Sequence, residues 1–303
     1  MTKFKMKTKK IYTIIINHNE KNVLKDCLKS LKKVKTEGID HHMLLIDNAS
    51  TDGSVRYIKR KYPEIKLRIK HQNVGFAGGV NLGLQIALKH KAKYVLLLNN
   101  DTIVPSNLLE KLVEYAEKNE KSGILSPVII YPGRQKRIWF QEGEIDPLSF
   151  TTKHVGLGER INRRVKKPFK TQFVPGCAMF IKCKIMEKIG LFDERFFLYY
   201  EDVDYCLRAK KAGFECMVIP EVKVIHRQVK SQIPDQKEYY LARNHLLFLE
   251  KHAPLKIKGR EIARTAKTLS DKYSQRDNPK IEYELLGIKD YFLRRFGKRE
   301  HWY

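Results

Sequence analysis

The sequence lacks any apolar run long enough to cross a membrane. None reaches the roughly 18 consecutive apolar residues that a membrane-spanning helix requires. Residues 1–10 are basic, but the apolar run that follows, 11–16, is short and carries no small-residue cleavage site. We therefore interpret 11–16 as a first β-strand and not as part of a secretory signal.

Cysteine is scarce, and its spacing does not suggest a metal site. The chain has five cysteines, and none of them lies in a Cys-x-x-Cys pair. The Cys-x-x-Cys spacing, which is missing here, is typical of zinc ribbons and redox motifs. An odd number of isolated cysteines fits buried, reduced thiols in a cytosolic protein better than disulfides. The sequence also shows no internal repeat.

Acidic residues are heavily outnumbered by basic ones. There are 34 Asp and Glu against 60 Lys and Arg, which gives a formal net charge of +26. This excess favours an anionic partner, which is nucleic acid, a membrane surface or a phosphorylated substrate. Alternatively, the net charge reflects only a proteome that is rich in lysine. Because the lysines are spread over the whole chain, the charge does not indicate a dedicated nucleic-acid site.

The apolar residues that are present alternate between strand and helix patterns. The 303 residues, of which 42% are hydrophobic, suffice for one large α/β domain with an appendage. Strands are predicted at 11–16, 43–46, 67–70 and 94–98, with helices at 20–33, 54–62 and around 80–88 and 108–113. Such alternation predicts right-handed βαβ crossovers and a mostly parallel, Rossmann-like sheet with flanking helices.

Polar turns follow three of the predicted strands. Strand 94–98 is apolar throughout and ends at Asn99-Asn100-Asp101-Thr102, which predicts a strand buried on both faces. The turns 17–19 and 47–53 follow two other strands. Ligands bind outside the carboxyl ends of parallel strands, so the three turns predict one nucleotide-binding crevice. Asp101 suits a divalent cation that carries a phosphorylated substrate, or else it caps the next helix.

The second half of the chain is less regular. A strand is predicted at 124–131, and 132–173 is interpreted as a partly ordered substrate loop with one hairpin. Short strands at 216–219 and 222–225 end at His226. Beyond about residue 231 the pattern becomes helical and basic. We predict two domains, 1–230 and a basic C-terminal helical extension, 231–303.

The order and spacing of several motifs resemble the inverting family 2 glycosyltransferases with the GT-A fold, in particular their rhamnosyltransferase-like branch. The resemblance covers roughly residues 11–250. The motifs that carry it are Ile15-Ile16-Asn17-His18-Asn19, Ile46-Asp47-Asn48-Ala49-Ser50-Thr51-Asp52-Gly53, Gly75-Phe76-Ala77-Gly78-Gly79, Leu98-Asn99-Asn100-Asp101, Glu201-Asp202-Val203-Asp204 and His226.

The resemblance implies a donor site for a nucleotide sugar. Asp47 would accept a hydrogen bond from the N3–H of a pyrimidine base, which uracil and thymine share, so UDP- and dTDP-sugars are not separated. Glycines before the third helix would cradle phosphate, although glycine also permits tight helix packing. The residues expected to bind the donor are Asn17, Asp47, Asp52, Gly75, Asn81, Asn99 and Asn100.

The resemblance also implies a divalent cation, Mg²⁺ or Mn²⁺, that bridges the diphosphate. Asp101 corresponds to the last acid of the family's Asp-x-Asp motif, and Asn99 stands where the first acid is usual. His226 would add a nitrogen ligand or contact the diphosphate, unless it is only a structural hydrogen-bonding residue. The coordination shell of the cation would therefore depend on the diphosphate and on His226 for most of its ligands.

An acid pair is the expected catalytic centre. In an inverting transfer the acceptor hydroxyl loses a proton as it attacks, so a carboxylate must lie within hydrogen-bond reach of it. The resemblance assigns Asp202 as this base, with Glu201 and Asp204 orienting it or the acceptor. The acids also suit a helix N-terminus. Arg243 and Asn244 are expected to contact phosphate or to form a surface salt bridge.

Together these features predict a cytoplasmic enzyme that extends a cell-surface polysaccharide, an O-antigen-like glycan or a lipid-linked glycan, with rhamnose as one candidate sugar. The basic tail would hold it on the anionic inner face of the cell membrane. The oligomeric state, a homodimer included, is left open. Two alternatives remain. One is a sugar-1-phosphate nucleotidyltransferase of related fold, whose Gly- and Arg-rich signature is missing after the first strand. The other is a basic nucleic-acid-binding protein.

Overall fold

The apolar runs of the sequence pair side by side in one mixed sheet. The computed structural model describes residues 8–161, 166–227, 236–273 and 277–299. The strands are β1 (Lys9–Asn17), β2 (Ile39–Asn48), β3 (Lys66–Lys70), β4 (Tyr94–Asn99), β5 (Thr102–Ile103), β6 (Ser122–Ile130), β7 (Ile138–Phe140), β8 (Glu142–Ile145), β9 (Thr152–Val155), β10 (Phe169–Thr171), β11 (Ala178–Lys182) and β12 (Glu215–His226).

Helices pack around this sheet. Six of those described lie between strands along the chain, and the last three follow β12. The helices are α1 (Lys21–Leu31), α2 (Ser54–Lys61), α3 (Gly75–Lys89), α4 (Leu108–Lys118), α5 (Lys184–Ile189), α6 (Glu201–Lys211), α7 (Gln236–His252), α8 (Leu255–Tyr273) and α9 (Pro279–Phe292), with a short 3-10 helix at Glu194–Phe196. In the part of the chain that the structure describes, none of the helices combines the length and the apolar character that crossing a membrane requires.

The strand order of the sheet is β10-β12-β6-β11-β4-β1-β2-β3, with β5 added to β12 and β7 to β6. The run β3-β2-β1-β4 is parallel throughout, and β6 and β12 are also parallel. Between these two parallel groups β11 runs antiparallel to both β4 and β6. The predicted mostly parallel α/β sheet with flanking helices is confirmed, and β11 is the main antiparallel addition.

Strand β4 lies at the centre of the sheet. It is paired on one edge with β1 and on the other with β11, and the side chains of Tyr94 to Leu98 are all buried. The register sets Ile16 opposite Asn99 and Asn17 opposite Asp47. The carboxyl ends of β1, β2 and β4 therefore lie together at one edge of the sheet, as their polar turns predicted.

The glycines expected to form a loop before the third helix lie inside that helix. α3 begins at Gly75. A Cβ atom at Gly83 would lie 2.5 Å from Ile14 Cγ2, and one at Gly79 would lie 3.3 Å from Ile16 Cδ1. These glycines let α3 lie directly against β1. The predicted position of these glycines before the helix is corrected, because the sequence pattern cannot distinguish a loop glycine from a packing glycine. Their predicted contact with phosphate stays a prediction.

The segment 132–173 is more ordered than the sequence suggested, although 162–165 lie outside the described residues. It holds the expected hairpin, which is β8 paired with β9. It also adds β7 and β10 to the sheet. The two short strands predicted at 216–225 form the single strand β12, with an irregularity between Ile219 and Lys223.

The C-terminal helices pack against the rest of the molecule through α7. Leu247 and Phe248 of α7 join the main core, while Leu246 and Leu249 pack with Ile288 of α9. The helical character predicted for this region is confirmed. The domain boundary predicted at 230/231 lies outside the described residues, so it stays a prediction.

Candidate active site

Three buried polar side chains connect the carboxyl ends of β2, β1 and β4. Asn17 Nδ2 donates to Asp47 Oδ2 at 3.0 Å. Asn17 Oδ1 accepts a hydrogen bond from Asn100 Nδ2 at 2.8 Å. All three residues are buried, so the chain Asp47–Asn17–Asn100 fixes the relative position of the three turns. Asn99, at the end of β4, lies beside it.

The carboxylate of Asp47 is enclosed in this structure. The residue has no exposed surface, and Asp47 Oδ1 accepts a hydrogen bond from the backbone N–H of Ser50 at 2.9 Å. Each carboxylate oxygen has a second acceptor position. A nucleotide base would reach it only after movement of the turn that follows β2.

Asp52 lies at the outer end of the same turn and organises the starts of two helices. It accepts hydrogen bonds from the N–H of Lys21 at 2.7 Å and from the N–H of Ser54 at 3.0 Å, as well as from the Ser54 hydroxyl. Burial raises the pKa of Asp52, but these hydrogen bonds outweigh it and lower the pKa overall. This geometry favours the turn role that Asp-Gly suggests.

Asp101 and His226 meet at the end of β4. His226 lies opposite Thr102 where β12 pairs with β5, and this register brings His226 Nε2 within 3.1 Å of Asp101 Oδ1. Both residues are more than nine-tenths buried. The edge of the Trp139 ring packs against His226, with 4.5 Å between the ring centroids. The structure therefore brings together the two residues that were predicted to hold a metal.

Glu20 is a third titratable group here, and sequence reasoning missed it. It precedes α1, its carboxylate hydrogen-bonds to Asn100, and it lies within electrostatic range of Asp101 and His226. Burial and the charge of Asp101 raise its pKa, although the Asn100 hydrogen bond and His226 oppose this. The feature of the sequence that could have indicated Glu20 is its position directly after the turn 17–19, at the edge of the predicted crevice.

These residues fit a divalent cation only in part. In the described ranges no group of three or more His, Cys, Asp and Glu side chains is arranged to hold a metal ion. Asp101 and His226 nevertheless place a carboxylate beside an imidazole, and both are ordinary ligands of divalent metals. The His226 Nδ1 atom is buried and has no hydrogen-bond partner among the residues that the structure describes. The pair suits a cation whose remaining ligands come from a substrate.

The acid pair begins α6. Asp202 Oδ2 accepts a hydrogen bond from the N–H of Gly176 at 2.9 Å, and Asp202 Oδ1 accepts one from the N–H of Val203 at 2.8 Å. Glu201 is buried, and among the described residues its Oε2 has no hydrogen-bond partner. Burial raises the pKa of both acids, and the charge of Asp202 raises that of Glu201 further. Asp202 differs from Glu201 because two backbone N–H groups stabilise its carboxylate.

The segment before β11 places Asp202 beside the crevice. The carbonyl of Cys177 accepts a hydrogen bond from the N–H of Asn99 at 3.0 Å, and the neighbouring Gly176 binds Asp202. Burial and the charges of Asp101 and Asp202 together raise the pKa of the Cys177 thiol, so both carboxylates are within electrostatic range of it. The acid pair and the β4 turn thus belong to one site.

Comparison with known proteins identifies the family. The model of glycosyl transferase family 2 matches residues 12–190, which is more than half of the chain. The chain belongs to glycosyl transferase family 2. It is therefore a glycosyltransferase, and neither alternative function, the nucleotidyltransferase or the nucleic-acid-binding protein, is supported.

Curated relatives of this glycosyltransferase include rhamnosyltransferases. It is 27% identical over 266 residues to the dTDP-rhamnosyl transferase RfbF of Shigella flexneri, which covers 83% of this chain and 84% of the relative. It is 25% identical over 225 residues to the N-acetylglucosaminyl-diphospho-decaprenol L-rhamnosyltransferase of Mycobacterium tuberculosis, with 67% and 71% coverage. The predicted rhamnosyltransferase-like resemblance is confirmed.

Solved structures show the same fold. The mannosyltransferase PcManGT of Pyrobaculum calidifontis, solved with GDP-Man and Mn²⁺, superposes with a TM-score of 0.54 at 14% identity and covers 94% of this chain and 87% of that one. GalNAc-T7, solved with UDP, GalNAc and Mn²⁺, gives a TM-score of 0.60 at 17% identity, covering 78% of this chain and 51% of that one. The predicted GT-A fold is confirmed.

Asp204 of the glycosyltransferase joins α6 to α7. Its carboxylate has no exposed surface and lies 2.8 Å from Arg208 Nε, 2.7 Å from Lys251 Nζ and 2.7 Å from His252 Nε2. Arg208 lies in the same helix, whereas Lys251 and His252 come from α7. This geometry does not support the acceptor or phosphate role expected of Asp204, because these three side chains enclose its carboxylate.

Asn81 and Gly75 also have structural partners in place of the donor. The Asn81 amide donates to the carbonyl of Phe192 at 2.9 Å and to Glu194 Oε1 at 2.8 Å, and accepts from the N–H of Phe192 at 2.9 Å. Gly75 has φ of +74°, and a Cβ there would lie 2.4 Å from the carbonyl oxygen of Phe197. These contacts do not support the donor-binding role expected for the two residues, which stays a prediction.

Arg243 and Asn244 lie in α7 without exposed surface. Their side chains donate to backbone carbonyls, which belong to Arg195 and Phe196 for Arg243 and to Phe196, Leu198 and Tyr199 for Asn244. The expectation of a surface salt bridge is wrong, because both residues are buried and their partners are carbonyls about 45 positions away along the chain. This geometry does not support the expected phosphate contact.

We expect Asp204→Asn to destabilise the protein in a pH-dependent way. Burial raises the pKa of Asp204, but His252, Arg208 and Lys251 lower it overall. The carboxylate therefore stabilises the fold above the unfolded pKa of about 3.9, and this contribution disappears as the pH falls through the lower folded pKa. At pH 7 the loss should be about 3–5 kcal/mol, and it should shrink towards pH 3 in urea unfolding followed by circular dichroism.

The control for this prediction is Asp271→Asn, which removes an exposed acid from α8. It should change stability little at any pH. Equal stability of Asp204→Asn and the wild type at pH 7 would contradict the ion-pair assignment.

Proposed function

We propose that this glycosyltransferase is metal-dependent and inverting, and that it moves a sugar from a UDP- or dTDP-sugar to a hydroxyl of a glycan or lipid-linked acceptor. The observation that carries the proposal is the link between Asp202 and the end of β4 through Gly176 and Cys177. It sets a carboxylate beside a crevice whose other groups suit a nucleoside diphosphate.

Asp202 has the properties of a general base for such a transfer. Two backbone N–H groups hold its carboxylate, and burial raises its pKa, which makes it a stronger proton acceptor. The acceptor hydroxyl passes its proton to Asp202 while its oxygen attacks the anomeric carbon. The bond to the nucleoside diphosphate breaks on the opposite face.

Asp101 and His226 are the residues that would hold the divalent cation, with Glu20 as an additional carboxylate from the β1–α1 turn. Glu20 would supply the negative charge that Asn99 does not. When bound, Mg²⁺ or Mn²⁺ compensates the growing charge of the departing diphosphate. The side chains of Asn17 and Asn100 keep these acids in place at the strand ends.

The relatives favour one donor as the first to test. One is named a dTDP-rhamnosyl transferase and another an L-rhamnosyltransferase that acts on a diphospho-decaprenol carrier. We therefore propose dTDP-rhamnose as the donor and a lipid-diphosphate-linked glycan as the acceptor, in the synthesis of a cell-surface polysaccharide.

We expect Asp202→Asn to abolish transfer but not donor binding. Loss of a general base lowers kcat by about 10²–10⁴-fold, whereas the dTDP or UDP affinity should stay within about twofold. Nucleotide release from a panel of UDP- and dTDP-sugars measures the first, and calorimetry the second. In the wild type, activity should fall on acidification with a midpoint above the usual Asp value of about 3.9, because burial raises the pKa of Asp202.

Asp271→Asn serves again as the control and should be fully active. Full activity of Asp202→Asn would remove Asp202 as the base. Failure of the wild type to release UDP or dTDP from any nucleotide sugar would refute the proposed function as a whole.

Metal binding can be followed without turnover, because Trp139 contacts His226. In a Trp302→Phe background, paramagnetic Mn²⁺ should quench Trp139 fluorescence saturably in the presence of dTDP or UDP. We expect Glu20→Gln to weaken the Mn²⁺ affinity by about 10–100-fold and Asp101→Asn to weaken it further. Diamagnetic Mg²⁺ should compete. Identical Mn²⁺ titrations for Asp101→Asn and its parent would exclude this metal site.

We also propose that α8 contacts an anionic membrane. Leu255 and Ile262 are 84% and 54% exposed. The exposed basic residues of the same helix are Lys256, Arg260, Arg264 and Lys267. The four cations are spaced i, i+4, i+8 and i+11, so they form one basic stripe along the helix. Such a stripe suits the surface of an anionic leaflet, where each Lys or Arg contributes about 1 kcal/mol of binding.

Vesicle flotation tests this contact. The wild type should float with phosphatidylglycerol vesicles and not with neutral phosphatidylcholine. Changing the four basic residues of α8 to Gln should abolish flotation. The matched control changes exposed lysines remote in sequence from α8, Lys33, Lys35, Lys59 and Lys61, to Gln and should still float. Equal flotation of the two variants would assign binding to overall charge and reject α8 as the contact.

A further inference from the structure

The turn that precedes the acid pair has an unusual backbone. Phe197, Tyr199 and Tyr200 have φ values of 64°, 70° and 71°, in the left-handed region that side chains with a Cβ rarely adopt. Three bulky residues in this region within four positions make a strained segment. Such strain persists only where the surrounding structure enforces it, so the contacts of this turn need an explanation.

Asn244 supplies three of the hydrogen bonds that hold the turn. Its Nδ2 donates to the carbonyl oxygens of Phe196, Leu198 and Tyr199 at 2.7, 2.8 and 2.9 Å. Asn244 has no exposed surface, so water does not compete for these bonds. One amide group therefore connects three carbonyls that a left-handed backbone turns towards the same point.

Arg243 orients that amide and adds bonds to the same turn. Arg243 Nε donates to Asn244 Oδ1 at 3.0 Å, which leaves the Asn244 NH₂ group facing the turn. Arg243 Nη2 donates to the carbonyls of Arg195 at 3.2 Å and Phe196 at 3.0 Å. On the side away from the turn, Arg243 Nη1 donates to the carbonyl of Gly297 at 2.7 Å.

Backbone hydrogen bonds connect this turn, residues 196–200, to α3 and α6. The carbonyl of Phe197 accepts a hydrogen bond from the N–H of Phe76 at 2.8 Å, in the first turn of α3. The carbonyl of Tyr200 accepts one from the N–H of Asp204 at 2.9 Å, which closes the first turn of α6. Asp202 lies inside that first turn. The conformation of the 196–200 turn thus sets where α6 begins and where Asp202 points.

We propose that Arg243 and Asn244 are positioning residues that hold the 196–200 turn in its left-handed conformation and thereby place Asp202 against Gly176. They do not touch substrate. The proposal rests on the proposed role of Asp202 as the base, and it assigns the enzyme's catalytic geometry partly to α7. It gives α7, which follows the matched family region, a role in the reaction.

The experiment is a double-mutant cycle between Asn244→Ala and Asp202→Asn, with kcat measured per folded enzyme. We expect Asn244→Ala alone to lower kcat by about 100-fold, as a misplacement of about 1 Å does, with the KM for the donor within twofold. In the Asp202→Asn background it should lower kcat no further, because the residue through which it acts is already gone. A merely structural role would lower kcat equally in both backgrounds.

The pH profile gives a second readout. Burial raises the pKa of Asp202, so release of the turn should hydrate Asp202 and move the acid limb of kcat to lower pH. The matched control is Asn119→Ala, which removes an amide–carbonyl hydrogen bond to Tyr115 on α4 and should leave kcat and the acid limb unchanged. If Asn244→Ala does not fold, Arg243→Lys, which loses the bond to Asn244 Oδ1, takes its place in the cycle.

The outcomes separate this inference from the proposed function. An active Asp202→Asn would overturn the assignment of the base, and this inference with it. An inactive Asp202→Asn combined with a wild-type kcat for Asn244→Ala, or with losses that multiply in the double variant, would overturn the positioning role alone. A loss of kcat in Asn244→Ala alone, with no further loss when this change is added to an inactive Asp202→Asn, would support it.

Discussion

The antiparallel pairing of β11 with β4 is the constraint on which the site depends. Because β11 runs opposite to β4, with Ala178 facing Leu98, the start of β11 lies at the carboxyl end of β4. Gly176 and Cys177, immediately before β11, therefore reach the crevice, and Gly176 binds Asp202. A parallel strand in this position would have brought its other end there, and α6 would lack this attachment.

The site concentrates acidic residues in a strongly basic protein. Glu20, Asp101, Glu201 and Asp202 all lie around the ends of β1 and β4, although the whole chain carries a formal charge of +26. Buried acids of this kind are costly unless a cation or a proton neutralises them. The raised pKa values of Glu20, Glu201 and Asp202 record that cost. It is consistent with a site that binds a divalent cation and accepts a proton.

Sequence reasoning succeeded where the signal is local. The strands β1 to β4 and their polar turns follow from apolar runs that end at turn residues, so Asn17, Asp47, Asn100 and Asp101 were correctly placed at one sheet edge. It failed for polar residues whose partners are distant. Asp204 pairs with Lys251 and His252, and Asn81 binds Phe192, and nothing in the neighbouring sequence indicates these contacts.

The sequence by itself determined the alternation of strands and helices, the crevice at their carboxyl ends and the acid pair at the start of α6. Periodicity and turn chemistry act over a few residues, and the linear pattern shows both. Only the tertiary structure decided that Glu20 joins Asp101, that the glycines of α3 serve packing, and that Asn244 holds a left-handed turn. Those roles depend on which distant backbone atoms come within hydrogen-bond or van der Waals reach, and the folded chain alone establishes that.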